Sequence, residues 1–156
     1  QDSPFYSSYA QWKGTLSLSH AQIGDAGAQC LAAALHAATP LRIGSLGLQG
    51  CILSAKGLEP VLLAIEHIRV AETSLGAPQG LRTVLVSDNP LMGDMGIIAL
   101  ARSLPSTVTY LSFSATNCGD AGMVAMASAL PRTEMIKLEC TNNPAIGLEG
   151  WAAPRH

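Results

Sequence analysis

The sequence predicts an α/β solenoid, a curved horseshoe segment of about five repeats with short parallel strands inside and helices outside. The first observation is a recurring string, Gly-Asp-x-Gly, which begins at Gly24, Gly93 and Gly119 and precedes apolar residues at the spacing of one helix face. The second is a short alternation of apolar residues before each string, which is typical of a strand with one buried face. Because one such unit is too small to bury its own apolar face, the units are expected to stack.

The repeat boundaries follow from the equivalent strand residues, which are separated by 30, 38, 27 and 27 residues. The period is therefore near 28 residues, and the second repeat contains an insertion that we place at 66–80. Residues 1–12 hold most of the aromatic side chains and are predicted to cap the first repeat. The equivalent strand residues are Leu16, Leu46, Val84, Leu111 and Leu138. The predicted repeats are 13–42, 43–80, 81–107, 108–134 and 135–156, the last of them incomplete.

Local residues predict how the helices begin. Asp25, Asp94 and Asp120 stand at the starts of three helices, where a carboxylate accepts hydrogen bonds from free backbone N–H groups, so we expect them to be helix caps. Ser54 is expected to cap the second helix in the same way. Pro60 has no N–H, so we expect the second helix to start late or to have an irregular first turn.

One short pattern connects these repeats to a known family. Residues 135–143 read Met-Ile-Lys-Leu-Glu-Cys-Thr-Asn-Asn and follow the pattern L-x-x-L-x-L-x-x-N, as do residues 81–89. Over roughly 13–150 the chain resembles the leucine-rich repeat proteins, and its period and full helices resemble their ribonuclease-inhibitor-like subfamily. The resemblance implies that Asn89 and Asn143 hydrogen-bond the neighbouring backbone where the chain leaves each strand. It also implies a non-enzymatic module that presents its concave face to a protein partner.

The candidate binding surface lies on the strand positions that face the concave side in the last three repeats. These positions carry charged, aromatic and apolar side chains, whereas those of the first two repeats are small and uncharged. Tyr and Arg are enriched at binding hot spots, which favours the last three repeats. The predicted contact patch comprises Arg82, Leu85, Asp88, Tyr110, Lys137 and Glu139.

Composition and the spacing of reactive residues exclude other classes of function. The net charge of −2 gives no basic footprint for nucleic acid, and no apolar run reaches the roughly 20 residues that a membrane-spanning helix needs. Charged residues make up 13%, against about 25% in a typical protein. No two of the four histidines share a helical metal-ligand spacing, and Cys51, Cys118 and Cys140 map to core positions. We therefore predict no metal, no cofactor and no enzymatic activity.

Two alternative functions stay open at this point. The low charge and the incomplete fifth repeat favour a structural subunit of a large assembly, or a part of a longer chain. The subfamily resemblance also implies a regulator of a small GTPase, although the loop residues that such regulators use do not map onto this chain. The four cysteines show no paired spacing, which favours reduced thiols and an intracellular location, in the cytoplasm or, as the alternative, in an organelle.

Overall fold

The fold alternates strands and helices along the chain. The computed structural model describes residues 14–37, 43–74 and 80–153, so the predicted cap at 1–12 lies outside the described residues. The strands are β1 (Gly14–Ser17), β2 (Ile43–Gly47), β3 (Thr83–Leu85), β4 (Tyr110–Ser112) and β5 (Lys137–Glu139). The helices are α1 (Gly24–Ala37), α2 (Ala55–Ser74), α3 (Gly93–Ser103), α4 (Asp120–Ala129) and α5 (Leu148–Trp151), with a 3₁₀ turn at Leu130–Arg132 after α4.

The strands form one parallel sheet whose order follows the chain, β1-β2-β3-β4-β5. Each neighbouring pair is in the register that the repeat alignment predicts: Leu16 pairs with Leu46, Leu46 with Val84, Val84 with Leu111, and Leu111 with Leu138. The predicted α/β solenoid of about five repeats is therefore confirmed.

The core lies between this sheet and the helices, and its depth depends on position along the stack. Leu46, Val84 and Leu111 are fully buried, because each has a repeat on both sides. The corresponding residues of the first and fifth repeats pack against the core but keep part of their surface exposed. The prediction that all the inward strand residues are core thus holds for the three inner repeats and only in part for Leu16, Leu18, Leu138 and Cys140.

A left-handed residue follows every strand. His20, Gly50, Asp88, Ala115 and Asn142 occupy this position and have φ between 54° and 63°. For a residue with a Cβ this conformation costs about 1–2 kcal/mol. In the first four repeats the N–H of this residue donates to a carbonyl oxygen of the next repeat at 2.7–3.0 Å. The bend is therefore held by stacking, which offsets the backbone strain.

The next part of the turn takes two forms. In repeats 1, 2 and 4 a second left-handed residue follows, namely Gln22, Ile52 or Asn117. In repeats 3 and 5 a proline, Pro90 or Pro144, takes that place, and one further residue enters the turn. Proline cannot adopt a positive φ, so no left-handed residue stands at that point of the longer turn, although one follows in repeat 3 at Gly93. A backbone hydrogen bond of 3.1 Å closes each of these longer turns.

A buried asparagine joins repeats 2 and 3. The Oδ1 atom of Asn89 accepts the N–H groups of Cys51 and Leu53, both at 3.0 Å, and its Nδ2 donates to the carbonyl oxygens of Leu48 and Val86, both at 2.8 Å. Asn89 is completely buried. One side chain thus satisfies four backbone groups that have no access to water.

Asn143 does the same between repeats 4 and 5. Its Oδ1 accepts the N–H groups of Thr116 and Cys118 at 3.0 and 3.1 Å, and its Nδ2 donates to the carbonyl oxygen of Phe113 at 3.1 Å. The role that the family resemblance implies for both asparagines is confirmed. Thr116, which holds the equivalent position in repeat 4, donates to the Phe113 carbonyl oxygen of its own repeat instead.

The three aspartates at the helix starts stabilise the next helix rather than their own. Asp94 lies in the first turn of α3, and its Oδ1 accepts the N–H groups of Gly119 and Gly122, at 2.7 and 2.9 Å, at the start of α4. Asp120 makes the equivalent pair of bonds to the start of α5, at 2.7 and 2.9 Å. Asp25 accepts the N–H just before α2 at 2.8 Å. As predicted, the three aspartates accept hydrogen bonds from free backbone N–H groups. Each caps the helix of the next repeat, however, and not its own helix.

Glycine is required where these carboxylates meet the next helix. A Cβ at Gly122 would lie 2.9 Å from Oδ1 of Asp94, and one at Gly150 would lie 2.6 Å from Oδ1 of Asp120. Both distances are shorter than a carbon–oxygen contact allows. Only a residue without a side chain lets neighbouring helix starts approach closely enough for the carboxylate to reach both N–H groups.

Of the two alternatives predicted for the second helix, a late start or an irregular first turn, the late start was wrong. Helix α2 begins at Ala55, five residues before Pro60, and continues without a break to Ser74. Ser54 caps it as predicted, since its Oγ accepts the N–H of Lys56 at 3.2 Å. The proline deprives only the carbonyl of Lys56 of its helical donor, and Lys56 is an exposed residue. Part of the predicted insertion therefore lengthens this helix.

Replacing Asn89 by alanine is expected to lower the free energy of unfolding by about 2–4 kcal/mol, because several buried backbone groups lose their partner. Urea denaturation followed by circular dichroism measures this change. Asn142→Gly is the control, since Asn142 is exposed and already has a positive φ, and its effect should stay within about 1 kcal/mol. Equal destabilisation by the two variants would contradict the role assigned to Asn89.

Candidate protein-binding surface

The candidate surface is the face of the sheet that points away from the helices, here called the concave face. In β3, β4 and β5 the central residue points into the core, so the residues on either side of it face outward. One outward row runs from Thr83 through Tyr110 to Lys137, and the next runs from Leu85 to Glu139 by way of β4. The strand pairing thus brings predicted patch residues from three repeats onto one surface.

Three of the six patch residues form a compact cluster. The hydroxyl of Tyr110 donates to Oε2 of Glu139 at 2.8 Å, and Nζ of Lys137 lies 2.7 Å from Oε1 of the same carboxylate. The Lys137 ammonium also lies 4.7 Å from the centre of the Tyr110 ring, within the range of a cation–π contact. We call these three residues the Tyr110 cluster. The ammonium and the carboxylate hold the phenol ring from two sides in one orientation.

The charges of the Tyr110 cluster reinforce one another. Its hydrogen bond to Glu139 raises the pKa of Tyr110. The hydrogen bond from Lys137 lowers the pKa of Glu139, and the same contact raises the pKa of Lys137. At neutral pH the phenol is therefore protonated and the ion pair is fully charged. The cluster offers a rigid aromatic ring and no net charge, and its phenol is a poor nucleophile.

The remaining patch residues lie apart from the Tyr110 cluster. Leu85 is half-buried on β3, two strands from Glu139, which corresponds to about 10 Å. Arg82 precedes β3 and pairs with Glu134 at 2.9 Å, while exposed Asp88 follows the strand. Six residues of extended chain separate Arg82 from Asp88, or about 20 Å. The structure thus gathers half of the predicted patch and places the two other charged residues at opposite edges.

A row of serine and threonine side chains runs across neighbouring strands beside the Tyr110 cluster. The alternation of apolar residues in the sequence did not predict the hydrogen bonds that these side chains make. Ser87 and Ser112 are buried, and their Oγ atoms lie 2.6 Å apart across neighbouring repeats. The Oγ of Ser87 also accepts the N–H of Ser114 at 3.0 Å, and the Oγ of Ser114 accepts the N–H of Thr141 at 3.0 Å. Strand alternation assigns Ser87 and Ser112 to the concave surface, but they join repeats instead of facing a partner.

The prediction that three cysteines lie in the core is confirmed for Cys51 and Cys118 and holds only in part for Cys140. Cys51 and Cys118 are buried, Cys140 is half-buried and Cys30 is exposed. Burial raises the pKa of Cys51, and burial is also the largest cause that raises the pKa of Cys118 to about 12, so both stay protonated at neutral pH. Among the described residues, no three His, Cys, Asp or Glu side chains come together in a group that could hold a metal ion.

Comparison with known families agrees with this architecture. A family model described as a leucine-rich repeat matches residues 15–32, which cover most of β1, the following turn and the first part of α1. The match supports a leucine-rich repeat protein, and the five parallel strands with their helices are consistent with a leucine-rich repeat solenoid of about five units. A search of curated proteins finds no significant match to the chain. In the described part of the chain, no helix is long and apolar enough to cross a membrane.

Replacing Glu139 by glutamine is expected to lower the pKa of Tyr110 toward its usual value of about 10, because the phenol loses its charged acceptor. Tyrosinate absorbance during an alkaline titration measures the pKa in a chain that also carries Tyr6→Phe and Tyr9→Phe, so that Tyr110 is the only tyrosine. Asp88→Asn removes a carboxylate from the same face without touching the cluster and should leave this pKa unchanged.

The hydrogen bond between Tyr110 and Glu139 also makes the stability of the fold depend on pH. Because the pKa of Tyr110 is higher in the folded chain than in the unfolded chain, its hydrogen bond stabilises the fold below about pH 10 and is lost as the pH rises through the folded-state pKa. The pKa of Tyr110 is compared with and without Glu139→Gln, in chains that both carry Tyr6→Phe and Tyr9→Phe. Identical values would contradict the hydrogen bond between Tyr110 and Glu139.

Proposed function

We propose that this chain is a non-enzymatic protein–protein interaction module that binds a protein partner through its concave face. The observation that carries the proposal is the Tyr110 cluster, in which an aromatic ring is held rigidly on a surface of the sheet. Tyrosine contributes strongly to binding because it offers a large contact area with few rotatable bonds. Its orientation is set before binding, so little side-chain entropy is lost on association.

The partner surface that fits this face is a protein surface with both apolar and polar groups. Leu85 offers an apolar contact on β3, the strand next to that of Tyr110, and the Arg82–Glu134 ion pair and Asp88 supply polar groups at the two edges. The span of about 20 Å between the edges is within the size of a standard interface, which buries about 800 Å² per partner. The charged residues therefore suit the rim and the Tyr110 cluster suits the centre.

The first two repeats offer a different kind of surface. Their outward strand positions carry Ser17, Ser45 and Gly47, with no charged group. The Oγ atoms of Ser17 and Ser19 lie about 3.0 Å from the point where a Cβ of Gly47 would be, so the surface is low and closely packed. A partner can contact the exposed Ser17 here without desolvating a charge, and this surface extends the proposed interface beyond the cluster.

We also propose that the chain belongs to the ribonuclease-inhibitor-like subfamily and that it is an intracellular, cytoplasmic protein. The helices of repeats 1–4 contain 14, 20, 11 and 10 residues, and such helices support the ribonuclease-inhibitor-like subfamily. The free thiols of Cys30, Cys51 and Cys118 support an intracellular, cytoplasmic protein, because disulfides persist mainly in oxidising compartments.

Tyr110→Ala is expected to weaken partner binding by about 30-fold in Kd, the cost of truncating a central hot-spot residue. Partners are first captured from the native source with the parent chain and identified by cross-linking mass spectrometry, and each affinity is then measured with purified partner. Met95→Ala, which truncates an exposed residue of α3 on the helical side, is the matched control. Unchanged affinity in Tyr110→Ala, with circular dichroism like that of the parent, would exclude the concave patch.

A structural subunit is the second candidate, and the apolar surface of repeat 5 favours it. Ile136 is 86% exposed, Leu148 is 90% exposed and Trp151 is 50% exposed. An open cavity of about 490 Å³ lies in the same repeat and is lined in part by Asn142, Pro144 and Trp151. Apolar surface of this kind marks interaction sites in soluble proteins.

Under this second candidate the isolated chain is expected to associate, and Leu148→Glu should return it to a monomer of 16.2 kDa. Sedimentation velocity across a range of concentrations measures the mass. Met95→Glu introduces the same charge at another exposed apolar site and should not change association. A parent chain that stays monomeric at every concentration would count against the second candidate.

A further inference from the structure

Two histidines meet on the helical side of the first two repeats. His36 lies in the last turn of α1, and His67 lies in α2, the neighbouring helix. Their ring centres are 5.1 Å apart, and the ring planes are tilted by 49°. Both residues are exposed. They are 31 residues apart in sequence, about one repeat, so stacking of the repeats brings them together.

We propose that His36 and His67 together bind a divalent transition-metal ion of the Zn²⁺, Ni²⁺ and Cu²⁺ group. Neutral imidazole nitrogen is a preferred ligand of these ions, whereas Mg²⁺ and Ca²⁺ require oxygen ligands. With Zn–N bonds of about 2.0–2.1 Å and nitrogen about 1.1 Å from the ring centre, two imidazoles on a tetrahedral ion have centres about 5 Å apart. The observed separation of 5.1 Å matches this value.

The site has two protein ligands and open positions. No third His, Cys, Asp or Glu of the described residues completes a group of three at this place. Since both rings are exposed, water or a side chain of a bound partner can fill the remaining positions of the ion. A site of this kind binds its ion reversibly, and its affinity should follow the order Zn²⁺ and Ni²⁺ below Cu²⁺.

Binding would join the first two repeats on their outer side. The ion contacts α1 through His36 and α2 through His67, so it bridges one junction of the solenoid. A ligand that binds only the folded state stabilises that state by mass action. The site lies on the helices, on the opposite side from the concave face, so it does not depend on the proposed binding function.

The test titrates Zn²⁺ into the full chain by isothermal calorimetry. A Cys30→Ser and His156→Gln background removes the exposed thiol of α1 and the histidine at the last residue, which are other ligands for the ion. The background chain should bind one Zn²⁺. His36→Gln and His67→Gln should each raise the Kd at least about ten-fold. His20→Gln, which removes an exposed histidine from the turn after β1, should leave the Kd unchanged.

A second measurement reports the ligands directly. Bound Cu²⁺ should show electron paramagnetic resonance coupling to two nitrogen atoms in the background chain and to fewer in either single variant. Zn²⁺ should also raise the melting temperature of the background chain, and a chelator should reverse the rise. Unchanged Zn²⁺ affinity in either of the two variants, loss of affinity in His20→Gln, or coupling to a single nitrogen would overturn the proposal.

Discussion

Each repeat depends on a neighbour to satisfy its buried backbone groups. Parallel stacking buries the N–H groups of Cys51, Leu53, Thr116 and Cys118 in the turns, where water cannot reach them, and partly buries most of those at the helix starts. The molecule meets this constraint with polar side chains that bond across the junction, from Asn89 and Asn143 in the turns and from Asp94 and Asp120 at the helix starts. Because a repeat taken alone would leave these groups unpaired, the repeats stabilise one another.

The junctions do not all use the same groups. Asp25 bonds across the first junction, between repeats 1 and 2, and Asn89 bonds across the second, between repeats 2 and 3. Asp94 bonds across the third junction, between repeats 3 and 4. The fourth junction, between repeats 4 and 5, has both Asp120 and Asn143. In repeat 2 the position of the aspartate holds Ala55, so the carboxylate contact is absent at the second junction. The asparagine there is completely buried, and it carries the polar coupling on which that junction depends.

The repeat pattern predicted the strand register and the inner core, because both follow from apolar residues that recur within one repeat. It could not predict which helix Asp94 stabilises, since that depends on the distance to the next repeat. The contact between His36 and His67 was missed for the same reason, because metal-ligand spacing was sought only within one helix. Tyr110, Lys137 and Glu139 were predicted only as members of the six-residue patch, and their bonds to one another depend on strand pairing that places the three side chains within 5 Å.

The chain carries few charges, and ion pairs on its concave side reduce the effect of some of them. Lys137 is neutralised by Glu139 and Arg82 by Glu134, so these charges produce little field at a distance. Exposed ion pairs of this kind contribute only about 0–1 kcal/mol to stability. The Lys137–Glu139 pair orients Tyr110, and both pairs keep their part of the surface polar while adding no net charge. Paired charges give little electrostatic steering, so the proposed interface would depend on shape and short-range contact.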